Sequence, residues 1–375
     1  MPREDIYETL RRYEFNKTEP ETLASLVQQA IKTGDGIKSE LKRFKEISEK
    51  VFKILANKQV IKSFDPSQIS DLDIFKNMYA VGVDGSLQPV EGFGGFWFVP
   101  TSCAIVTFKN GIKSQPEVNV SATIERIKEF EYYGIGSEAI NRMMIAETKA
   151  IMEWAEKKET STKSIVFIDG PIVDPPYLVE EKYVKYRCEA LTKCLKKDVL
   201  FIGCVKRMKA RFLIDFIAKA ILSNETDKNL INNFAWDSHM VTAIFSKCIV
   251  SEITGILSTI PVDISQIDNA YKAYHDAGIT VYSFYMQKDP LSRPLRLDFP
   301  LIKDQKEDIM AYAEKVLKAV YAWSYPGIDI PLPVFLAHNK CEVRKGCAEI
   351  LYSEIITRST STDPFENLMN EKLRG

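Results

Sequence analysis

The first sixty residues carry apolar side chains at helical spacing. Between residues 4 and 62 the chain is rich in Glu, Lys, Leu and Ile, and Ile37, Leu41 and Phe44 recur every three or four positions. The step Gly34–Asp35–Gly36 interrupts this pattern, so the pattern predicts a helical hairpin. The alternating charges of KSELKRFKEISEK are typical of a solvated helix face. We expect a helical extension packed on the main domain; an arm for dimerisation or partner docking is the alternative.

From residue 78 the pattern changes to apolar runs of strand length. MYAVGVDGS, SIVFIDG and DVLFIGCVK are continuous apolar runs, which are typical of buried strands. FWFVPTSCAIVTF is a longer strand or strand pair, rich in aromatic and β-branched residues. Helical segments at 138–158 and 178–197 separate these runs, and residues 207–275 are predicted to be mostly helical. The order of elements predicts an α/β fold, a mixed sheet flanked by helices.

Strands at 279–287 and 295–300 and helices near 304–323 and 333–358 complete the predicted elements. No low-complexity linker divides the chain. The predicted organisation is a helical extension at 1–75, an α/β domain at 76–358 with a mostly helical insertion at 207–275, and a tail at 359–375.

Composition limits the classes of partner. Fifty basic and fifty-one acidic residues give a formal net charge of −1, so a polyanion would need a local patch or channel. No run approaches the roughly 20 apolar residues of a membrane span. The N-terminal MPREDIYETL lacks the apolar core of a secretory signal, so we expect a cytoplasmic protein without membrane association.

Cysteine and histidine counts narrow the metal chemistry. Seven scattered cysteines, an odd number without a C-x-x-C pair, are expected to be reduced thiols. With only three histidines in the chain, we do not expect a metal centre built mainly from histidine ligands. Oxygen ligands would therefore dominate any metal site, which favours Mg²⁺ or Mn²⁺ over Zn²⁺.

Two acids stand at the ends of buried strands. Asp84 ends YAVGVD and Asp169 ends IVFID, and glycine follows each. Open α/β sheets bind their ligands at the carboxyl ends of strands. An Asp-Gly hairpin turn is the alternative. The prolines of PIVDPPY, which follows Asp169, argue against pairing across a two-residue turn.

A third acid interrupts the apolar stripe of a predicted helix. In EAINRMMIAETKAIMEWAEK, Glu147 follows Met144 by three residues and precedes Ile151 by four, so it shares their face. A carboxylate there is costly unless it is compensated. It either forms a buried salt bridge or points at a shared metal. Together, three such acids suit one or two divalent cations that promote phosphodiester hydrolysis.

Two further residues are candidates for the same site. Lys206 closes the strand FIGCVK, where it either contacts a phosphate or is simply solvated. His338, in PLPVFLAHNKCEV, is a structural histidine, a fourth metal ligand or a proton carrier. His239 and His275 are interpreted as structural.

These segments resemble a known family. In this order, MYAVGVDGS, the acid of MMIAETKAI, VFIDGP, FIGCVK, LRLDFP and PLPVFLAH are similar to the NurA nucleases over roughly residues 75–350. The resemblance implies a ribonuclease-H-like core, a mixed five-stranded sheet with helices on both faces. It also implies a Mn²⁺-dependent DNA nuclease, with Mg²⁺ as a possible alternative metal, that has single-strand endonuclease and 5′→3′ exonuclease activity. The expected assembly is a homodimer docked on a HerA-type hexameric ATPase, acting in DNA-end resection for recombinational repair.

The resemblance also assigns roles to single residues. Asp84 matches the acid of the family's first strand, Glu147 its helical acid, and Asp169 the acid of its DG strand. The resemblance therefore implies metal binding and catalysis for these three. His338 matches the histidine of the family's C-terminal segment, which reads PLPVFLAH here, and this implies a catalytic role. Lys206 matches the lysine after the next strand, which implies a contact with nucleic acid.

Other functions compete with a nuclease. A non-catalytic docking or scaffold subunit of a DNA-translocase complex is the main alternative, and the three retained acids argue against it. A phosphatase of the haloacid dehalogenase kind would carry Asp-x-Asp at the first strand, where this chain has Asp84–Gly85–Ser86. A nucleotide-binding ATPase is not indicated, because no G-x-x-x-x-G-K-[ST] occurs.

Overall fold

The computed structural model describes most of the chain, namely residues 20–69, 71–92, 96–128, 134–159, 162–173, 181–206, 209–253, 255–264, 269–303 and 307–359. Residues 1–19 of the predicted extension, and all of the predicted tail except Ser359, lie outside this part. The strands are β1 (Ile61–Phe64), β2 (Tyr79–Leu87), β3 (Val90–Glu91), β4 (Phe96–Phe108), β5 (Glu117–Lys128), β6 (Ser164–Asp169), β7 (Val199–Val205), β8 (Ile256–Thr259), β9 (Val262–Asp263), β10 (Ile279–Gln287) and β11 (Leu295–Ile302). The α-helices are α1 (Pro20–Asn57), α2 (Leu72–Lys76), α3 (Gly134–Lys157), α4 (Glu181–Lys196), α5 (Phe212–Phe216), α6 (Glu225–Ile231), α7 (Asp237–Val250), α8 (Asn269–Asp276), α9 (Ile309–Ala322), α10 (Leu332–Cys341) and α11 (Lys345–Ser359).

The strands form one mixed sheet. Among the described residues it has eleven strands, in the order β1-β8-β10-β11-β7-β6-β2-β4-β3, with β5 paired to β4 and β9 to β10. Strands β2, β6 and β7 run parallel, and β4 and β11 flank them antiparallel. Residues 96–108 form a single strand. The predicted α/β class is confirmed. The sheet is wider than the five strands that the resemblance implies, although β5, β4, β2, β6 and β7 form five consecutive neighbours within it.

Helices cover both faces of the central strands. On β2, Ala80 packs into a core that α9 and α10 cover, whereas Val81 and Val83 pack into a second core covered by α3, α4 and α8. Successive side chains of a strand point to opposite faces, so the residue number decides which helix layer each β2 side chain meets. This alternation positions the candidate site.

The predicted helical hairpin near the N-terminus is wrong. Helix α1 runs without interruption for 38 residues through Gly34 and Gly36. A glycine costs a helix about 1 kcal/mol relative to alanine but does not force a turn. The C-terminal half of α1 compensates for this cost by burying Val51 and Leu55 against the helices that follow β7. The following strand β1 pairs with β8 and joins the edge of the sheet.

Residues 207–275 are mostly helical where the structure describes them, as predicted. They contain α5 to α7 and all of α8 except its last residue, together with a π-helical turn at Ile217–Ile221. The same stretch also contributes the short strands β8 and β9 to the sheet, which the sequence pattern does not indicate. Within the described part of the chain, none of the helices has the length and apolar character needed to cross a membrane.

Candidate metal centre

Two acids lie side by side at the ends of parallel strands. Strands β2 and β6 pair with Val83 opposite Ile168, so the next residues, Asp84 and Asp169, are neighbours. Because Ala80 faces the core under α10, Asp84 faces the same side four residues later. Asp84 is buried, with 5% of its surface exposed. The structure thus brings these two predicted acids together at one rim of the sheet.

Helix α10 brings His338 onto both acids. Its Nδ1 lies 2.7 Å from Asp84 Oδ2 and 3.4 Å from Asp169 Oδ2. The helix can approach β2 this closely because Gly82 faces its first turn, where an added Cβ would overlap the backbone of Pro333. The His338 side chain remains about half exposed, at 49%. One edge of this cluster is therefore open to solvent.

Helix α10 also supplies a contact that the sequence analysis missed. The buried thiol of Cys341 donates a hydrogen bond to Asp84 Oδ2 at 3.4 Å. Burial, followed by the negative charge of Asp84, raises the pKa of Cys341, so the sulfur keeps its proton. The signal was available, because Cys341 follows His338 by three residues and therefore shares its helix face.

Hydrogen bonds fasten the end of α10 to the sheet. The backbone N–H of Val343 donates to Ser86 Oγ at 3.0 Å, and the Ser102 hydroxyl donates to the carbonyl of Cys341. Ser86 lies on β2 and Ser102 on β4, at paired positions. The helix that carries His338 is thus fixed against the strand that carries Asp84.

Glu147 approaches from the opposite helix layer. It lies on α3 and is 6% exposed. Its Oε1 lies 2.7 Å from the position that a Cβ would take at Gly85, and the Gly85 backbone hydrogen-bonds to its carboxyl group. A side chain at Gly85 would therefore displace Glu147. Glycine after Asp84 is needed for this close approach rather than for a hairpin turn.

Burial makes ionisation of Glu147 unfavourable. Desolvation raises its pKa to about 8, and the nearby charges of Asp84 and Asp169 act in the same direction. The positive charge of Arg187, on α4, lowers the pKa in part. Arg187 is itself buried, with 1% exposed, and Nη1 donates to Thr148 Oγ1 at 3.1 Å. Both alternatives for Glu147 therefore have support. The nearby Arg187 favours a buried salt bridge, and the nearby Asp84 and Asp169 favour a shared metal.

The same effects act on Asp84. Desolvation is the largest cause, and the charge of Asp169 adds to it, so the pKa of Asp84 rises to about 6. Hydrogen bonds from His338 and Cys341 oppose this rise. A cation at this rim would relieve the repulsion between the two carboxylates.

Lys206 lies at the exposed side of the cluster. Its Nζ lies 2.5 Å from Asp169 Oδ2, and 38% of its side chain is exposed. From the end of β7 it therefore contacts Asp169 at the rim of the sheet. This ion pair with Asp169 was not among the two predicted alternatives, a solvated lysine and a phosphate contact.

Three of the predicted residues can hold a cation. Ligand atoms of Asp84, Asp169 and His338 all lie within 4.8 Å of one another. In the described part of the chain, this is the one cluster of three or more His, Cys, Asp or Glu side chains that could hold a metal ion. Glu147 is not a member of it. Two carboxylates and one imidazole suit Mg²⁺ or Mn²⁺, since oxygen ligands predominate. A cation would also stabilise the ionised forms of Asp84 and Glu147, whose pKa values are raised.

The comparisons with known proteins identify the family of this chain. The family model of the NurA domain matches residues 79–343, more than half of the chain. The chain belongs to the NurA family. The matched segment begins at the first residue of β2 and ends just after α10, so it includes Asp84, Glu147, Asp169, Lys206 and His338.

Solved structures share the NurA fold. The crystal structure of the NurA nuclease from Sulfolobus solfataricus matches with a TM-score of 0.59 at 12% identity, covering 91% of this chain and 99% of that one. A second crystal structure of NurA matches with a TM-score of 0.53 at 12% identity, covering 88% and 99%. No curated protein matches the chain. At such low identity the structural matches establish the fold alone.

Proposed function

We propose that the protein is a divalent-metal-dependent nuclease that hydrolyses DNA. The observation that carries the proposal is the meeting of Asp84, Asp169 and His338 within 4.8 Å at the rim of the sheet. Membership of the NurA family supports it. The Sulfolobus solfataricus structure of similar fold is described as a nuclease.

The residues divide into three roles in this proposal. Asp84, Asp169 and His338 would hold the cation, which, when bound, activates water and stabilises charge on the phosphate. Glu147, with its pKa near 8, would complete the ligand set or hold a proton beside it. Lys206 would leave its ion pair with Asp169 and contact the phosphate backbone of the substrate.

The finer points of the proposal come from the family resemblance. They are Mn²⁺ as the preferred metal, single-strand endonuclease and 5′→3′ exonuclease activity, and a homodimer that works with a HerA-type hexameric ATPase. The process would be DNA-end resection in recombinational repair in the cytoplasm. A net charge of −1 suits a chain that binds DNA in a local channel rather than over its whole surface.

The test uses single- and double-stranded DNA labelled separately at each end, with Mn²⁺, Mg²⁺ or EDTA. We expect metal-dependent cleavage by the wild type, and its loss in Asp84→Asn and Asp169→Asn by about a hundredfold or more, because each loses an anionic ligand. Asp276→Asn, which changes an exposed carboxylate on α8, is the matched control. Melting temperatures in EDTA that equal or exceed that of the wild type would show that the site variants remain folded.

Each outcome separates the candidates. Wild-type cleavage rates in either site variant would show that the metal centre is wrongly assigned. Absence of cleavage with every metal, even when the cognate ATPase is added, would favour the non-catalytic docking subunit. The labelled ends give the polarity in the same experiment.

A further inference from the structure

A buried ion pair lies two strands away from Asp169. Asp298 on β11 is fully buried, and Arg296 is 5% exposed. Arg296 donates to both oxygens of Asp298, from Nε at 3.0 Å and from Nη2 at 2.9 Å, and the Ser283 hydroxyl also donates to Oδ1. Burying two charges is costly, and a bidentate pair offsets only part of that cost.

The pair reaches the turn that follows Asp169. Asp298 Oδ2 accepts a hydrogen bond from the backbone N–H of Ile172 at 3.4 Å. Between Asp169 and Ile172, the backbone N–H of Gly170 donates to the carbonyl of Cys204 at 2.9 Å. Ile172 is itself fully buried, only three residues after Asp169. The chain that leaves the metal-ligating acid is therefore held at two successive places.

A glycine on the intervening strand makes this contact possible. Gly203 on β7 pairs in register with Asp298 on β11. A Cβ at Gly203 would lie 2.9 Å from the carbonyl oxygen of Gly170 and 3.1 Å from Ile172 Cγ1. Because Gly203 has no side chain, the turn after Asp169 can lie across β7 and meet the carboxylate of Asp298.

We propose that Asp298, with Arg296 as its counterion, is a positioning residue for Asp169. It fixes the turn from Gly170 to Ile172 and thereby the direction of the Asp169 carboxylate. The inference rests on the proposed function, since it concerns a metal ligand, and it adds a residue outside the ligand group. A solely structural pair would stabilise the fold without affecting the affinity for metal.

The test measures binding of Mn²⁺ to metal-free protein, by the electron paramagnetic resonance signal of the free ion. Asp298→Asn removes the charge that orders Arg296 and the turn. Gly203→Ala places a Cβ against Gly170 and Ile172, so it displaces the same turn without changing either residue of the ion pair. We expect each variant to weaken Mn²⁺ binding about tenfold, as loss of residues that orient metal ligands commonly does.

A matched control separates positioning from stability. Val316→Ala truncates a fully buried side chain of α9 on the other face of the sheet, so it should lower the melting temperature without changing Mn²⁺ affinity. Wild-type affinity in folded Asp298→Asn and in Gly203→Ala would overturn the inference. If Asp298→Asn does not fold, Gly203→Ala alone decides. Absence of Mn²⁺ binding by the wild type would instead contradict the proposed function.

Discussion

The carboxyl group of Glu147 is buried, and burial disfavours its ionised form. Its raised pKa, about 8, follows first from desolvation, while Arg187 opposes the shift. In an unfolded chain a glutamate ionises near its ordinary pKa of 4.5. Between these two values the folded protein holds a proton that the unfolded chain has lost. Stability of the metal-free protein therefore falls as pH rises through this window, and the full penalty remains above about pH 8.

Glu147→Gln should remove this pH dependence. At pH 4 the wild-type carboxyl group is mostly protonated in both the folded and the unfolded state, so the neutral amide should change the free energy of unfolding by less than about 0.5 kcal/mol. At pH 9 the wild type carries the buried charge, and the variant should be more stable by on the order of 1–3 kcal/mol. Urea unfolding in EDTA at the two pH values measures both differences.

The control lies on the same helix. Glu153→Gln changes an exposed carboxylate of α3, and its effect on stability should be small at both pH values. A Glu147→Gln variant that is less stable than the wild type at pH 9 would mean that the attraction between Glu147 and Arg187 outweighs desolvation. In that case the buried salt bridge would be the better description of this residue.

Single residues were predictable where a local rule was broken. Glu147 stood out because it interrupts an apolar helix face, and Asp84 and Asp169 because they end apolar strands. Arg187 breaks the same rule on α4, between Val184 and Cys188, and could have been found by the same argument. The link between Asp298 and Ile172 could not, because 126 residues of chain separate them and only the sheet order joins them.

At the scale of elements, the packing of α10 on β2 controls the site. Asp84 and Gly82 share one face of β2, and α10 lies directly on that face. The helix can therefore place His338 over Asp84 only if its first turn sits against the backbone of β2. The size of the residue at position 82 therefore limits how closely α10 can approach β2.

Gly82→Ala should displace α10 from the sheet. The added Cβ would meet the backbone of Pro333 and Val334, which cannot rotate aside as a flexible side chain can. We expect a loss of stability of about 2 kcal/mol or more, typical of overpacking, together with loss of metal binding. Hydrogen exchange of α10, compared with that of α9, measures whether the displacement is local.

Gly346→Ala is the matched control for this substitution. A Cβ at Gly346, on α11, meets nothing within 4 Å, so alanine should leave stability unchanged or raise it by up to about 1 kcal/mol. Wild-type stability and exchange in Gly82→Ala would contradict the packing of α10 on β2 described above.

The elements themselves were predictable to different degrees. Apolar runs flanked by glycine gave the central strands, because a strand buried on both faces has almost no polar positions. The glycines of Gly34–Asp35–Gly36 led to the wrong prediction of a helical hairpin. A helix end depends on what the flanking segments pack against and not on glycine alone. Strands β8 and β9 are four and two residues long, and their pairing with distant strands leaves no local pattern.

On the scale of the whole molecule, charge is balanced overall but not at the site. The chain carries 51 acidic and 50 basic residues, yet Asp84, Asp169 and Glu147 repel one another in one place. Lys206, His338 and Arg187 offset this repulsion only in part. The metal-free protein is therefore locally strained by charge, and a divalent cation should stabilise the fold as a whole.

Mn²⁺ should raise the melting temperature of the wild type and not that of Asp169→Asn. At a free concentration a hundred times the Kd, binding to the native state alone stabilises it by about 2.7 kcal/mol, or roughly 3 °C for a chain of this size. The rise should be larger at pH 8 than at pH 6, because protons compete with the metal at Asp84, whose pKa is about 6. Thermal unfolding at both pH values, with KCl at equal ionic strength as the control, measures this. An equal rise in Asp169→Asn would assign the effect to weak binding across the other acidic residues instead.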